Sequence, residues 1–158
     1  KDAGFIMNNE MDDFSIKPGV PNMYGAIGNA ANAIAPGKRM LSSMTPTIVL
    51  KNKRPYIIAG TPGGTTIPTS VFQTLMNFLE FGMKAPEAVN LPKFHHQWLP
   101  DIVYIEPGFN AAAAKKLEAM GYKLEKRGPI GRTEVIFIKN GIIHAVADMR
   151  GDDDARAY

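Results

Sequence analysis

Residues 45–79 constrain the fold more than any other stretch. TPTIVLKNKRPYIIAG (45–60) holds two β-rich runs, 47–50 and 56–59, about a polar turn. Each run is nearly all apolar, so both faces are expected to be buried. TPGGTT (61–66) then breaks the pattern, and Ile67, Val71, Leu75, Phe78 and Leu79 follow at helical spacing. This predicts an amphipathic helix ending at Gly82, with Pro68 tolerated in its first turn. Two paired strands feeding a helix through a glycine turn require a sheet packed against helices.

The remaining chain extends that reading. A short helix is expected over 85–91, between Pro86 and Pro92, and a strand over 102–106. NAAAAKKLEAMG (110–121) predicts a second clear helix, with Asn110 as its cap and Gly121 as its stop. TEVIFIKNGIIHAVAD (133–148) reads as a hairpin turning on Asn140-Gly141. Strands and helices therefore mix as hairpins and following helices rather than strict βαβ units. The class is α+β, with largely antiparallel sheet packed on helices. Residues 8–45 contrast with this: Pro18, Gly19, Pro21, Gly25, Gly28, Pro36 and Gly37, with Pro46 just beyond, interrupt any period. So long a loop is usually functional, or marks a missing partner segment.

With 158 residues, 45% of them hydrophobic, residues 1–158 are read as a single domain able to bury a core. Phe5, Ile6 and Met7 look like the tail of a strand whose beginning lies upstream, so this domain is expected to be incomplete. The FHHQWLP segment, with Trp98, is expected to pack between elements, and Asp152 to Asp154 to form a solvated tail.

Several function classes lose support. The net charge is only +3, and Lys and Arg are scattered rather than gathered in a basic stripe, which argues against nucleic acid as a partner. No apolar run approaches the roughly 20 residues of a membrane span, and KDAGFIMNNE lacks the pattern of a signal peptide. With no cysteine there is no thiolate nucleophile or Cys-based metal site. His95 and His96 are adjacent and His144 stands alone, a poor set of zinc ligands.

Three short segments could carry chemistry. In NNEMDDFS (8–15), Glu10, Asp12 and Asp13 repel one another unless a cation joins them. If a strand continues through 6–9, Asn8 and Glu10 share one face, and the bend at Asp12-Asp13 turns another acid toward the same ligand. A primary ammonium, with three donors, suits such acceptors; a solvated turn and a calcium loop are the rivals, and the calcium spacing is absent. Ser42 and Ser43 can each give one directional bond to a carboxylate, or simply serve as loop serines. Gly63 and Gly64 can aim two N–H groups at an anion ahead of a helix, or only make a tight turn.

Taken in order, NNEMDDFS, PNMYG, KRMLSSMTPTIV, AGTPGG and PKFHHQWLPD resemble the γ-glutamyltranspeptidases from about residue 5 to Tyr158. The resemblance implies the small-subunit part of an N-terminal-nucleophile hydrolase, a four-layer αββα sandwich whose precursor cleaves itself into two subunits. It assigns Glu10 and Asp13 to the substrate's α-amino group, Ser42 and Ser43 to its α-carboxylate, and the N–H groups of Gly63 and Gly64 to an oxyanion hole. Tyr24, in PNMYG, is placed in a lid over the glutamyl pocket. Bacterial members often carry Gln where this chain has Glu10, whose added charge is expected to tighten ammonium binding.

The same resemblance places the family's nucleophile, a threonine leading the small subunit, upstream of Lys1. The neighbouring Thr/Asn-bearing strand and the large subunit's carboxylate-binding Arg are likewise outside this chain. The implied activity is cleavage of the γ-glutamyl amide of glutathione and related compounds, with transfer to water, amino acids or peptides through a threonine acyl-enzyme. Alone, the chain is expected to be inactive. The implied partners are the large subunit, the N-terminal part of the small subunit and γ-glutamyl substrates; no cofactor or metal is implied, and the location is periplasmic or secreted. Alternatives are a non-catalytic amino-acid-binding or assembly subunit, and a related acylase or capsule-polymer transferase.

Overall fold

The computed structural model describes residues 4–156, which fall into two compact units, one up to Ser43 and one from Met44 onward. The first unit is nearly all irregular backbone. Its regular pieces are two 3₁₀ helices, Glu10–Asp13 and Ala30–Asn32, and isolated bridges pairing Ser15 with Ala33 and Pro21 with Ile27. The strand expected through Phe5, Ile6 and Met7 is not formed by the described residues, and Ile6 is 98% exposed. An edge of this kind gains nothing from extended backbone without a neighbouring strand to pair with.

The second unit contains seven strands and three α-helices among its described residues. Strands β1 (Thr47–Lys51), β2 (Arg54–Gly60), β6 (Glu134–Lys139) and β7 (Ile142–Val146) form an antiparallel sheet in that spatial order. The β6–β7 turn has φ of 53° at Asn140 and 77° at Gly141, the left-handed pair that a tight hairpin requires. Helix α1 (Ile67–Leu79) follows β2, and α2 (Ala85–Asn90) follows α1. Ile57, Ala59, Val71, Val89 and Val135 make the core, with Val49, Leu75, Phe78 and Phe137 packed against it.

Among the described residues, one face of the sheet is far better covered than the other. The expectation that both faces of the first two runs are buried fails for β1, where Ile48 is 62% and Leu50 59% exposed. Ile48, Ile58 and Ile136 align across the sheet, opposite in sense to the core row Val49, Ile57 and Phe137. An apolar row that is only partly covered beside a buried one is the expected signature of a sheet that takes another layer on its second face. Helix α1 also differs in detail. It ends at Leu79 rather than Gly82, Leu79 is 47% exposed, and its buried stripe includes Ser70, Thr74 and Asn77 beside Ile67 and Val71. The Asn77 side chain donates to the Ala88 carbonyl at 3.0 Å, so hydrogen bonding to α2 recruits a polar residue to the buried face.

A second sheet joins β3 (Phe94–His95), β4 (Val103–Ile105) and β5 (Leu124–Lys126). β4 and β5 are parallel and are linked through α3 (Ala111–Ala119), capped by the Asn110 side chain on Ala113 N–H at 2.9 Å. A βαβ unit is therefore present, correcting the expectation of hairpins and following helices in place of βαβ units. The three-residue β5, with Leu124 its one apolar member, is too short to show a period. Trp98 does not pack between elements: it is 70% exposed, with φ of 73°. The acidic tail is paired in part, with Asp153 on Arg132 at 2.9 Å and Asp154 on Arg156 at 2.8 Å.

Four charged residues knit the second unit together internally. Arg150 reaches both oxygens of Glu106 (Nε at 2.7 Å, Nη2 at 2.6 Å) and Asp148 through Nη1 at 2.9 Å. Lys93, 2% exposed, donates to the Val89 carbonyl at 2.7 Å and lies 3.6 Å from Asp148. Burial, then the positive charge of Arg150, lowers the Lys93 pKa to about 8, against the pull of Asp148 and Glu106. Burial by itself would raise Glu106, but the Arg150 bonds and the N–H groups of Lys93 and Ile130 hold it below its ordinary value.

Candidate active site

The acidic cluster owes its shape to the 3₁₀ helix. With three residues per turn, positions i and i+3 eclipse, so Glu10 and Asp13 share one face and Asp12 lies off it. This corrects the expectation of a strand through 6–9 that aligned Asn8 with Glu10; Asn8 instead accepts the Glu10 N–H at 3.3 Å. Asp12 Oδ2 is shut from solvent and has no hydrogen-bond partner among the described residues; nothing in the structure explains that carboxylate. Among those residues no group of three or more His, Asp or Glu side chains could hold a metal ion.

Asp13 is brought to Ser43 across thirty positions of chain. Its Oδ2 accepts the Ser43 N–H at 3.2 Å and the Ser43 hydroxyl at 3.3 Å. Ser43 is half-buried and Ser42, its neighbour, is exposed. The cluster is thus a carboxylate face and a pair of hydroxyls gathered in one unit, chemically suited to the two charged groups of an α-amino acid.

Tyr24 belongs to the same unit. Asn22 accepts the N–H groups of Tyr24 and Ala26 at 3.0 and 2.9 Å, and donates to the Asp12 carbonyl at 3.1 Å. The Asn9 amide donates to the Tyr24 hydroxyl at 3.2 Å, so the PNMYG loop is tied to the acidic helix at two points. Tyr24 remains 42% exposed. Sequence reasoning missed Asn9, Asn22 and Asn32 as the members that tie this unit together. Their signal in the sequence was slight: Asn22 and Asn32 stand among the prolines and glycines of the long loop, and Asn9 within NNEMDDFS.

In the second unit, Gly63 and Gly64 adopt φ of 144° and 56° just before α1. A Cβ on Gly63 would lie 2.4 Å from Thr66 Oγ1, so a side chain is excluded there on both conformational and steric grounds. Thr66 closes the turn by donating its N–H and its hydroxyl to the Gly63 carbonyl at 3.1 and 2.9 Å. That leaves the Gly63 and Gly64 N–H groups without an acceptor among the described residues. Two such donors ahead of a helix N-terminus can stabilise a developing oxyanion.

A polar network supports this turn. Thr65 donates its hydroxyl to Gln97 Oε1 at 2.7 Å, and the same oxygen lies 2.9 Å from His95 Nε2. His95 Nδ1 is 2.8 Å from the Thr69 hydroxyl. The ring is 1% exposed, and burial lowers its pKa below the ordinary histidine value. His95 is thus a satisfied structural group. His96 pairs with Asp101 at 3.0 Å on the surface.

The family model for gamma-glutamyltranspeptidase matches residues 1–158. The glutathione hydrolase proenzyme of Escherichia coli K12 is 46% identical over 157 residues, 99% of this chain and 27% of that protein. The chain therefore spans about a quarter of the length of that curated relative. The crystal structure of the T380A mutant of Helicobacter pylori gamma-glutamyltranspeptidase superposes with a TM-score of 0.89 at 46% identity, over 96% of this chain and 84% of that one. The enzyme from Pseudomonas nitroreducens complexed with L-DON gives a TM-score of 0.90 at 42% identity, over 100% and 84%.

Proposed function

Because this chain belongs to the γ-glutamyltranspeptidase family, we propose that it supplies the substrate-holding part of an enzyme that cleaves the γ-glutamyl amide of glutathione and related compounds. Its α+β architecture is a portion of the αββα sandwich of N-terminal-nucleophile hydrolases. The chain works with a large subunit cut from the same precursor and with a segment that carries the nucleophilic threonine.

Glu10 and Asp13 take the α-ammonium of the γ-glutamyl group, and Ser42 and Ser43 its α-carboxylate. Tyr24 acts as the lid residue. The N–H groups of Gly63 and Gly64 receive the oxyanion formed when a threonine hydroxyl outside this chain attacks the γ-carbonyl. Collapse of that intermediate expels the amine and leaves a glutamyl ester, which water or an acceptor amine then resolves. No helix among the described residues is long and apolar enough to cross a membrane; the family relationship favours a periplasmic or secreted setting.

The observation that carries this reading is the convergence of Asp13 on Ser43, with Glu10 on the same 3₁₀ face. The test is turnover of a γ-glutamyl anilide by the complete protein and by residues 1–158 alone. Release of the aniline is expected from the complete protein only. Activity from residues 1–158 would overturn the assignment of the nucleophile to another segment.

A further inference from the structure

Asn32 stands at the end of the second 3₁₀ helix, 19 residues from Asp13 and nine from Leu41, and bonds to both. Its Nδ2 donates to the Asp13 main-chain carbonyl at 2.6 Å, and its Oδ1 accepts the Leu41 N–H at 3.1 Å. The amide orientation is unambiguous, because a carbonyl needs a donor and an N–H needs an acceptor. The Asn32 carbonyl also accepts the Ser15 N–H at 3.0 Å, which fixes the chain two residues beyond Asp13. One planar group therefore spans the backbone bearing the carboxylate and the backbone leading into Ser42 and Ser43.

The support for Asn32 is itself built. Asn29 accepts the Ala31 N–H at 2.9 Å, and the Lys38 ammonium donates to the carbonyls of Ala31 and Ala33 at 2.6 and 2.9 Å. Asn32 is thus bracketed by residues whose carbonyls a single cation holds. No other side chain of this size presents a donor and an acceptor side by side: Asp offers two acceptors, Leu neither, and Gln sets the amide one carbon farther out.

We infer that Asn32 is a positioning residue that sets the spacing between Asp13 and the Ser42–Ser43 pair, and thereby the tightness with which the α-amino acid head group is held. The inference rests on the clamp reading given above. Asn32 touches no substrate atom; it acts through the two backbone segments that it joins.

The test uses the complete protein and two competitive ligands, L-glutamate and glutarate, which differ only in the α-ammonium. Asn32→Asp keeps the acceptor for Leu41 and removes the donor to Asp13. The inhibition constant of L-glutamate and the KM for a γ-glutamyl anilide are expected to rise about tenfold, with glutarate and kcat nearly unchanged. Equal weakening of both ligands, or a fall in kcat alone, would overturn the inference, since a merely structural defect does not single out the ammonium. If Asn32→Asp leaves L-glutamate binding intact while Asp13→Ala weakens it, only the role of Asn32 fails. If neither weakens it, the clamp reading fails with it. Should Asn32→Asp not fold, Lys38→Met, which removes the bracket alone, carries the test: a selective rise for L-glutamate supports the inference and its absence rejects it.

Discussion

Ser43 donates both its main-chain N–H and its hydroxyl to a single oxygen of Asp13, at 3.2 and 3.3 Å. Both contacts are long for their kind, so they orient the carboxylate without exhausting it. The second oxygen and the neighbouring Glu10 remain acceptors for a cation.

Asp13→Asn retains an acceptor for Ser43 while removing the charge. In the complete protein it is expected to lower kcat/KM for a γ-glutamyl anilide by roughly 30-fold, about 2 kcal/mol for a charge-assisted bond. The loss should fall mainly on KM. A variant with unchanged KM would remove Asp13 from ammonium recognition.

Gly63→Ala places a Cβ against Thr66 Oγ1 in a backbone conformation that L residues rarely adopt. Displacing the turn moves the Gly63 and Gly64 N–H groups, and kcat is expected to fall by about 10²-fold or more, as for loss of an oxyanion donor. Steady-state kinetics showing a KM effect with kcat preserved would contradict this role.

Arg150→Met leaves Lys93 as the one cation of the group beside Glu106 and Asp148, and is expected to cost about 3–5 kcal/mol in denaturant unfolding of the complete protein. Lys93→Met should cost much less, because the charged form of Lys93 is already disfavoured. The Lys93 pKa is lowered to about 8 in the folded chain, from the ordinary lysine value of 10.5. The unfolded chain binds more protons between those values, so this group's contribution to stability is full above 10.5 and is lost as pH falls to about 8. The stability difference between wild type and Lys93→Met should shift in that direction across the window; a flat difference would count against it.

His95 is held neutral by burial, and its pKa is lowered from 6.5. Its contribution is fully present above about 6.5, the ordinary value, and is lost as pH falls toward the folded-state value. Urea unfolding of wild type against His95→Gln at several pH values should show the advantage of the histidine shrinking on acidification. An advantage that grows on acidification would mean that the ring is charged in the native state.

Much of the second unit was legible because its signals are local. Asn110 caps α3 as its position implied, Pro68 sits in the first turn of α1, and Asn140-Gly141 turns the β6–β7 hairpin. The candidate site residues were picked out in another way, through motifs whose order resembles a family. Their spatial relation was not. Reading residues 6–9 as a strand paired the wrong acceptors, and only the 3₁₀ helix at Glu10–Asp13 puts Glu10 and Asp13 on one face.

By itself, then, the sequence determined the longer elements of the second unit, the glycine turn and the kinds of groups the candidate site can offer. The tertiary structure decided their partners. Asn32 joins Asp13 to Leu41, Arg150 finds Glu106 across 44 positions, and β4 lies parallel to β5. Helix caps and turns depend on hydrogen bonds within a few residues, so their chemistry can be read along the chain. A buried charge or amide is satisfied by whatever distant group the fold brings to it, and that choice is made only when the elements pack.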